Sequence, residues 1–220
     1  DIQDLRSAAR VARKHGVITL VDNSWATPLY QNPIPLGIDL VLHSGTKYIA
    51  GHSDLLLGLV AGSGDLMSPI RTMARLLGGA LSPDDAYLAI RGMRTLPVRM
   101  AHHQASALRI ARWLEDRPEV HQVLHPGLES FPGHELASSQ MSGYSGLFGF
   151  RLQPRDEAAA HRFVDSLLGL FYLGYSWGGY ESLIVPRLER PGTYRISIGL
   201  EDPDDLITVL EDALIAWSHD

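Results

Sequence analysis

The sequence predicts an α/β layered domain followed by an α+β domain, and three observations carry that reading. Short, nearly continuous apolar runs at 17–21, 38–42 and 55–61 each stop at polar or glycine-containing turns, as strands buried in a layered sheet do. Helical periodicity separates and follows them, over 1–16, 65–77 and 83–116. Beyond Pro97 short strands and helices alternate again. A chain of 220 residues accommodates one large or two small domains, at roughly 100–200 residues each.

In chain order, the first helix puts Ile2, Leu5, Ala8, Ala9 and Ala12 on one stripe and Arg6, Arg10, Arg13 and Lys14 off it, and it closes at Gly16. Residues 17–21 then read as a buried parallel strand ending at Asp22. A polar loop with Pro28, Pro33 and Pro35 leads to the 38–42 strand, which stops at His43-Ser44-Gly45-Thr46-Lys47, and the 55–61 strand ends in Gly62-Ser63-Gly64. Ligands sit at the carboxyl ends of strands in such sheets. Pro97 lies inside the 83–116 helical stretch, where proline removes a hydrogen bond and clashes with the preceding turn, so a break or kink is expected there. It divides the chain into a domain of 1–96 and one of 97–220. The second domain is read as a helix to about Glu115, strand 120–124, a Gly/Pro/Ser-rich loop over 126–146, strand 147–152, helix 156–168, strand pieces at 183–185 and 194–200, and helix 203–217.

Composition excludes several chemistries. With no cysteine there is no disulfide framework, thiolate metal site or cysteine nucleophile. A formal charge of −6 disfavours nucleic acid and anionic membrane as partners. Neither a signal pattern nor the ~20-residue apolar stretch of a membrane span is present, and a cytoplasmic location is expected. The amphipathic opening at Asp1 needs something to lean on, so a further segment before it is expected.

Lysine is the sharpest chemical signal, because Lys14 and Lys47 are the only two. Lys14 ends an amphipathic helix, where a cation complements the carbonyl dipole. Lys47 follows an apolar strand in a tight turn, where a surface loop lysine and a desolvated nucleophilic amine are both possible readings. Asp22, at the end of the neighbouring strand, favours the second. A lysine and an aspartate on adjacent strand ends suit pyridoxal phosphate, with the lysine forming the Schiff base and the carboxylate keeping the pyridine nitrogen protonated. Ser44 and Thr46 supply hydroxyl donors for phosphate oxygens, or serve as ordinary turn residues.

Val21-Asp22-Asn23-Ser24, followed by Asp39-Leu40-Val41-Leu42-His43-Ser44-Gly45-Thr46-Lys47-Tyr48-Ile49-Ala50-Gly51-His52-Ser53-Asp54, resembles the cofactor-lysine signature of the Cys/Met-metabolism pyridoxal phosphate enzymes. Arg91 to Met100 resembles the interdomain helix of that family, and Tyr194 to Glu201 its substrate-carboxylate strand. The resemblance implies part of the cofactor-binding domain of the aspartate-aminotransferase fold type, fold type I, plus the C-terminal α+β domain. It implies pyridoxal 5'-phosphate held by Asp22, Ser44, Thr46 and Lys47, with Lys47 catalytic. Tyr175-Ser176-Trp177-Gly178-Gly179 resembles the β-lyase branch, since the γ-enzymes usually carry an apolar residue where Trp177 stands. Tyr175, Ser176, Trp177 and Arg195 are then the substrate residues, with Ser176 and Arg195 holding the α-carboxylate. The implied reaction is α,β-elimination of a thioether amino acid such as cystathionine, by a homo-oligomer, dimer or tetramer. The alternatives are a γ-synthase, a γ-lyase or a cysteine desulfhydrase-like activity, or a fragment with no catalytic role. Family members are longer, and the resemblance places a phosphate loop and a ring-stacking tyrosine before Asp1. Gly45 is a slightly unusual filler between Ser44 and Thr46, though still a small one, and so a minor departure from the family pattern.

No metal site is expected. His102-His103 and the His121/His125 pair lack a third ligand at matching spacing. Gly62-Ser63-Gly64 lacks the third glycine of a dinucleotide loop, and adjacent His52, Ser53 and Asp54 do not build a nucleophile triad.

Overall fold

A computed structural model of the chain describes residues 1–187 and 192–218, which divide into two units. The first comprises Asp1–Pro97 with Glu135–Tyr144, and the second Val98–His134 with the residues from Ser145 onward.

In the first unit Asp4 caps helix α1 (Leu5–Lys14), its carboxylate accepting from the Ser7 N–H at 2.9 Å. The chain leaves α1 through Gly16 at φ +64°, a left-handed conformation that costs glycine little. Leu5 and Ala9 pack with Ile38, against partly buried Val21 and Leu36. Three strands form one sheet in the order β1 (Leu20–Asp22), β2 (Leu40–Ser44), β3 (Gly58–Gly62). β1 and β2 run parallel with Asp22 opposite Leu42, whereas β3 is antiparallel to β2. The expected buried strand at 17–21 is therefore shorter and more open than its apolar run implied. Val17, Ile18 and Leu20 are each nearly 60% exposed (59%, 58% and 59%), because among the described residues β1 is an outer strand that pairs with β2 alone.

The proline-containing loop after β1 holds two short ordered pieces that its composition hid, helix α2 (Thr27–Tyr30) and a 3-10 turn at Ile34–Leu36. Helix α3 (Gly64–Leu76) follows β3. Helix α4 (Pro83–Glu115) is helical without interruption over 33 residues, Pro97 included. The expected break does not occur: proline removes one rung of the ladder, and the almost fully buried Leu96 and Met100 flank it, so packing outweighs the local penalty.

The second unit carries a five-stranded sheet, ordered β4 (Val120–Leu124), β5 (Leu147–Leu152), β8 (Thr193–Ser197), β7 (Ser182–Pro186), β6 (Phe171–Leu173). All its pairings are antiparallel except β6 with β7. Helix α5 (His134–Gln140) interrupts what reads as a continuous loop, and β6 was also not expected; seven and three residues give too short a period to register. Helices α6 (Glu157–Leu167) and α7 (Pro203–Ser218) pack together, and with the C-terminal part of α4 they cover one core. At its centre Phe150 stacks on Tyr194 at 5.4 Å between ring centroids, while Phe163 meets Tyr194 at 4.8 Å and the edge of Trp217 at 6.1 Å.

Candidate active site

The carboxyl ends of the parallel pair β1 and β2 come together through one hydroxyl. Asp22 Oδ1 accepts from the Ser24 N–H at 2.9 Å and from Ser24 Oγ at 2.6 Å, and Ser24 Oγ in turn accepts the Ser44 N–H. The Asp-x-Ser geometry is a local turn that folds the residue after the strand back onto its carboxylate. Because Asp22 pairs with Leu42, and Ser44 lies two residues further on, the Asp22 and Ser44 side chains share a face of the sheet. Among the described residues Asp22 Oδ2 and Ser44 Oγ carry no hydrogen bond, leaving one acceptor and one hydroxyl open on that face.

Lys47, half-buried, stands on a tightly wound turn. Its N–H donates to the Ser44 carbonyl at 3.1 Å, the Ala50 N–H donates to the Gly45 carbonyl at 2.8 Å, and the Gly51 N–H to the Lys47 carbonyl at 2.8 Å. Tyr48, Ile49 and Ala50, all at 5% exposure or less, anchor the turn from behind. Thr46 Oγ1 spans to the next segment, accepting from the Leu57 N–H at 2.9 Å and donating to its carbonyl at 3.4 Å. Most of this hydroxyl's capacity is spent on bracing the turn, with one lone pair left. The departure at Gly45 has a steric reason: a Cβ there would lie 2.7 Å from Leu57 side-chain atoms.

Three features of this neighbourhood were not read from the sequence. His43 is buried on the opposite face of β2, with Nδ1 bonded to no described group. Burial pushes its imidazole below the ordinary value, while the Asp22 charge and an Asn23 main-chain bond oppose the shift. Asn23, also buried, donates from Nδ2 to the carbonyls of Thr27 at 3.2 Å and Gln31 at 2.9 Å and so ties α2 to the end of β1. Thr27 itself sits at φ +60°, a strained position for a β-branched residue. The Asp-x-Ser spacing was the only available signal; the others depend on tertiary placement.

In the second unit Arg195 lies on β8 between β5 and β7. Its Nη2 donates to the carbonyls of Gly174 at 3.3 Å, Tyr175 at 2.7 Å and Ser176 at 3.1 Å. The structure thus brings Tyr175, Ser176 and Arg195 together, with half-buried Trp177 next in the chain. Burial and the nearby Arg187 charge lower the Arg195 pKa, partly offset by Tyr175, without threatening its charge. A second contact set holds the same loop from its far end. Ser182 donates to Glu201 through its N–H at 2.7 Å and its Oγ at 2.8 Å, and the Gly199 N–H donates to Ser182 Oγ at 2.8 Å. This Ser182–Glu201 latch had no sequence signal.

The donor set fits pyridoxal phosphate. Asp22 Oδ2 is an open acceptor for a pyridine N–H, Ser44 Oγ an open donor for a phosphate oxygen, and Lys47 rises from the same strand end. Among the described residues no group of three or more His, Asp or Glu converges as a metal site, and no helix is long and apolar enough to cross a membrane.

Comparison with known proteins agrees. The family model for Cys/Met metabolism PLP-dependent enzymes matches residues 1–215. A putative cystathionine β-lyase of Rhizobium johnstonii is 41% identical, aligned over 99% of this chain and 58% of that protein. A cystathionine β-lyase of Lactococcus lactis subsp. cremoris is 42% identical over 97% of this chain and 60% of that protein. The crystal structure of cystathionine γ-synthase from Xanthomonas oryzae pv. oryzae in complex with cystathionine superposes with a TM-score of 0.93 at 40% identity, covering 98% of this chain and 60% of that one. The chain therefore spans about 60% of the length of these relatives. On its sequence, its fold and the residues gathered at β1 and β2, the chain belongs to the Cys/Met-metabolism enzymes, whose cofactor is pyridoxal 5'-phosphate.

Proposed function

We propose that the protein is a carbon–sulfur lyase of the cystathionine β-lyase kind, converting cystathionine to homocysteine, pyruvate and ammonia as a cytoplasmic dimer or tetramer. The observation that carries this reading is the Trp177-bearing loop, whose preceding carbonyls close on Arg195 Nη2. The stretch Tyr175-Ser176-Trp177-Gly178-Gly179 resembles that of bacterial β-lyases, and two relatives above 40% identity bear the β-lyase name.

Pyridoxal phosphate, when bound, supplies an electron sink that stabilises negative charge at the substrate α-carbon. The residues of this chain divide the remaining work. Lys47 would hold the cofactor through its side-chain amine, and that amine, when free, would take the proton from the substrate α-carbon. A base on a rigid turn satisfies geometry before pKa. Asp22 keeps a proton at the ring nitrogen through Oδ2, and Ser24 fixes that carboxylate by engaging Oδ1. Ser44 donates to a phosphate oxygen, whereas Thr46, expected to donate there too, has its hydroxyl proton directed to the Leu57 carbonyl and serves by holding the turn rigid. Arg195, with Nη2 occupied by the loop, presents its other guanidinium nitrogens to the α-carboxylate beside Ser176. Half-buried Trp177 walls that end.

The γ-enzyme reading is kept because a γ-synthase structure matches at 40% identity. Supplied with cystathionine, the cofactor-loaded protein is expected to release pyruvate and homocysteine, followed enzymatically and by mass spectrometry, and Lys47→Ala to release neither. Release of 2-oxobutyrate and cysteine establishes the γ-enzyme instead. A protein that stays colourless after pyridoxal phosphate is added is a non-catalytic fragment.

A further inference from the structure

Helix α1 carries Arg6, Arg10, Arg13 and Lys14, spaced four, three and one residues apart, which puts their side chains along one flank. All four are exposed. With Ala9, Leu36 and Gly37 they line a cavity of about 350 Å³ between α1 and the 3-10 turn, within the roughly 300–1,000 Å³ of small-molecule sites. Gly37, at φ +103°, leaves that cavity's wall bare: a Cβ there would stand 3.0 Å from Ala9 Cβ and 3.5 Å from Arg13 Nη2.

The helix has no need of so much positive charge at this place. Its carbonyl end accounts for Arg13 and Lys14, but Arg6 lies in the first turn, where a cation opposes the dipole and the Asp4 cap is the one acidic group near it. Like charges a turn apart repel. Among the described residues none of the four forms an ion pair. Arg10 Nη2 donates only to Ser7 Oγ, at 3.1 Å. The two nearby carboxylates attract these cations only from a distance, Asp4 toward Arg10 and Asp39 toward Arg13, while their hydrogen bonds go to Ser7 and Thr19.

We propose that this cavity binds a small polyanion bearing two or more phosphate groups. Guanidinium forks match phosphate oxygens in pairs, and three of them converge on one concavity with an apolar floor of Ala9 and Leu36. An extended polyanion such as RNA would need cations spread along a surface, and a chain of net charge −6 repels it elsewhere. The site is independent of the reaction assigned above.

The test is calorimetric titration of the pyridoxal-phosphate-loaded protein with inorganic tripolyphosphate at low salt, with the visible cofactor band recorded throughout. Saturable binding is expected, with the band unchanged, and Arg6→Gln/Arg10→Gln weakens it by about tenfold or more. A control pair on the second unit, Arg109→Gln/Arg117→Gln, leaves it intact. Circular dichroism reports whether each variant is folded, and Arg13→Gln/Lys14→Gln repeats the measurement if the first pair is not. Absence of saturable heat overturns the proposal, as does equal weakening by the control pair. Bleaching of the cofactor band, or tighter binding of a short RNA lost in the same variants, overturns it too.

Discussion

At the residue scale the site depends on a few polar atoms held in place by others. Ser24 joins Asp22 to Ser44, so Ser24→Ala removes two hydrogen bonds and strands a half-buried N–H. A loss of about 1–2 kcal/mol of stability is expected in urea unfolding. Pyridoxal phosphate affinity, read by absorbance titration, should fall while kcat stays near its original value, because Ser24 orients the carboxylate and touches no reacting atom. Arg195→Lys is expected to raise KM for cystathionine roughly 10–100-fold with a smaller change in kcat, since an ammonium cannot serve the loop carbonyls and a carboxylate together. An unchanged KM would remove Arg195 from the substrate site. The position of Asp22 at a strand end and of Lys47 in the turn after the next strand was legible in the sequence, because an apolar run stops just before each turn. The role of Glu201 was not, because its partner Ser182 lies on strand β7, and the roles of His43 and Asn23 depend on burial and on the fold of the loop after β1, which no local spacing encodes.

At the scale of elements, long segments were the readable ones. β4 and β5 have the bounds their apolar runs imply, at Val120–Leu124 and Leu147–Leu152, and α4 differs by one residue at its end. What failed was local chemistry overridden by packing, as at Pro97, or periods too short to count, as in α2, α5 and β6. α4 also shows how helix propensity loses to close approach. Gly92 lies inside it, where alanine is ordinarily favoured by roughly 0.5–1 kcal/mol, yet a Cβ would stand 2.4 Å from the Ala50 carbonyl oxygen and 2.6 Å from that of Ile49. Both oxygens are backbone, so something must move. Gly92→Ala is expected to destabilise by about 1–3 kcal/mol and, by shifting the turn that bears Lys47, to lower kcat; a rise in Tm would show that the helix yields more cheaply than the turn.

On the scale of the whole molecule acid acts on both units in the same direction, through His43 in the first and more strongly through His103 and His125 in the second. Burial drives His103 and His125 of the second unit down to about 4 from 6.5. Between those values the unfolded chain binds protons that the folded one refuses. The stability they protect is therefore complete above 6.5 and drains away as pH falls toward 4, by at most on the order of 3 kcal/mol per histidine. Hydrogen exchange at mildly acidic pH is expected to accelerate across β4, β5 and β8 before β1 to β3, and His103→Gln should flatten the dependence; uniform acceleration would place the acid-sensitive groups elsewhere. The α/β-then-α+β architecture was readable because it rests on the order and spacing of apolar runs. The membership of each unit was not, since Glu135–Tyr144 groups with the first unit through contacts more than a hundred residues long in sequence.

That returning segment has a consequence for how the gene could be divided. Gln140 grips the Gln3 carbonyl at 2.8 Å and the Leu5 N–H at 3.3 Å, and the Ser142 N–H reaches the Tyr30 carbonyl at 2.8 Å. A cut at codon 97 would leave one product without its fastening and the other with an orphaned decapeptide. Neither half therefore carries all the contacts of its own unit, and the two are not expected to fold as separate pieces.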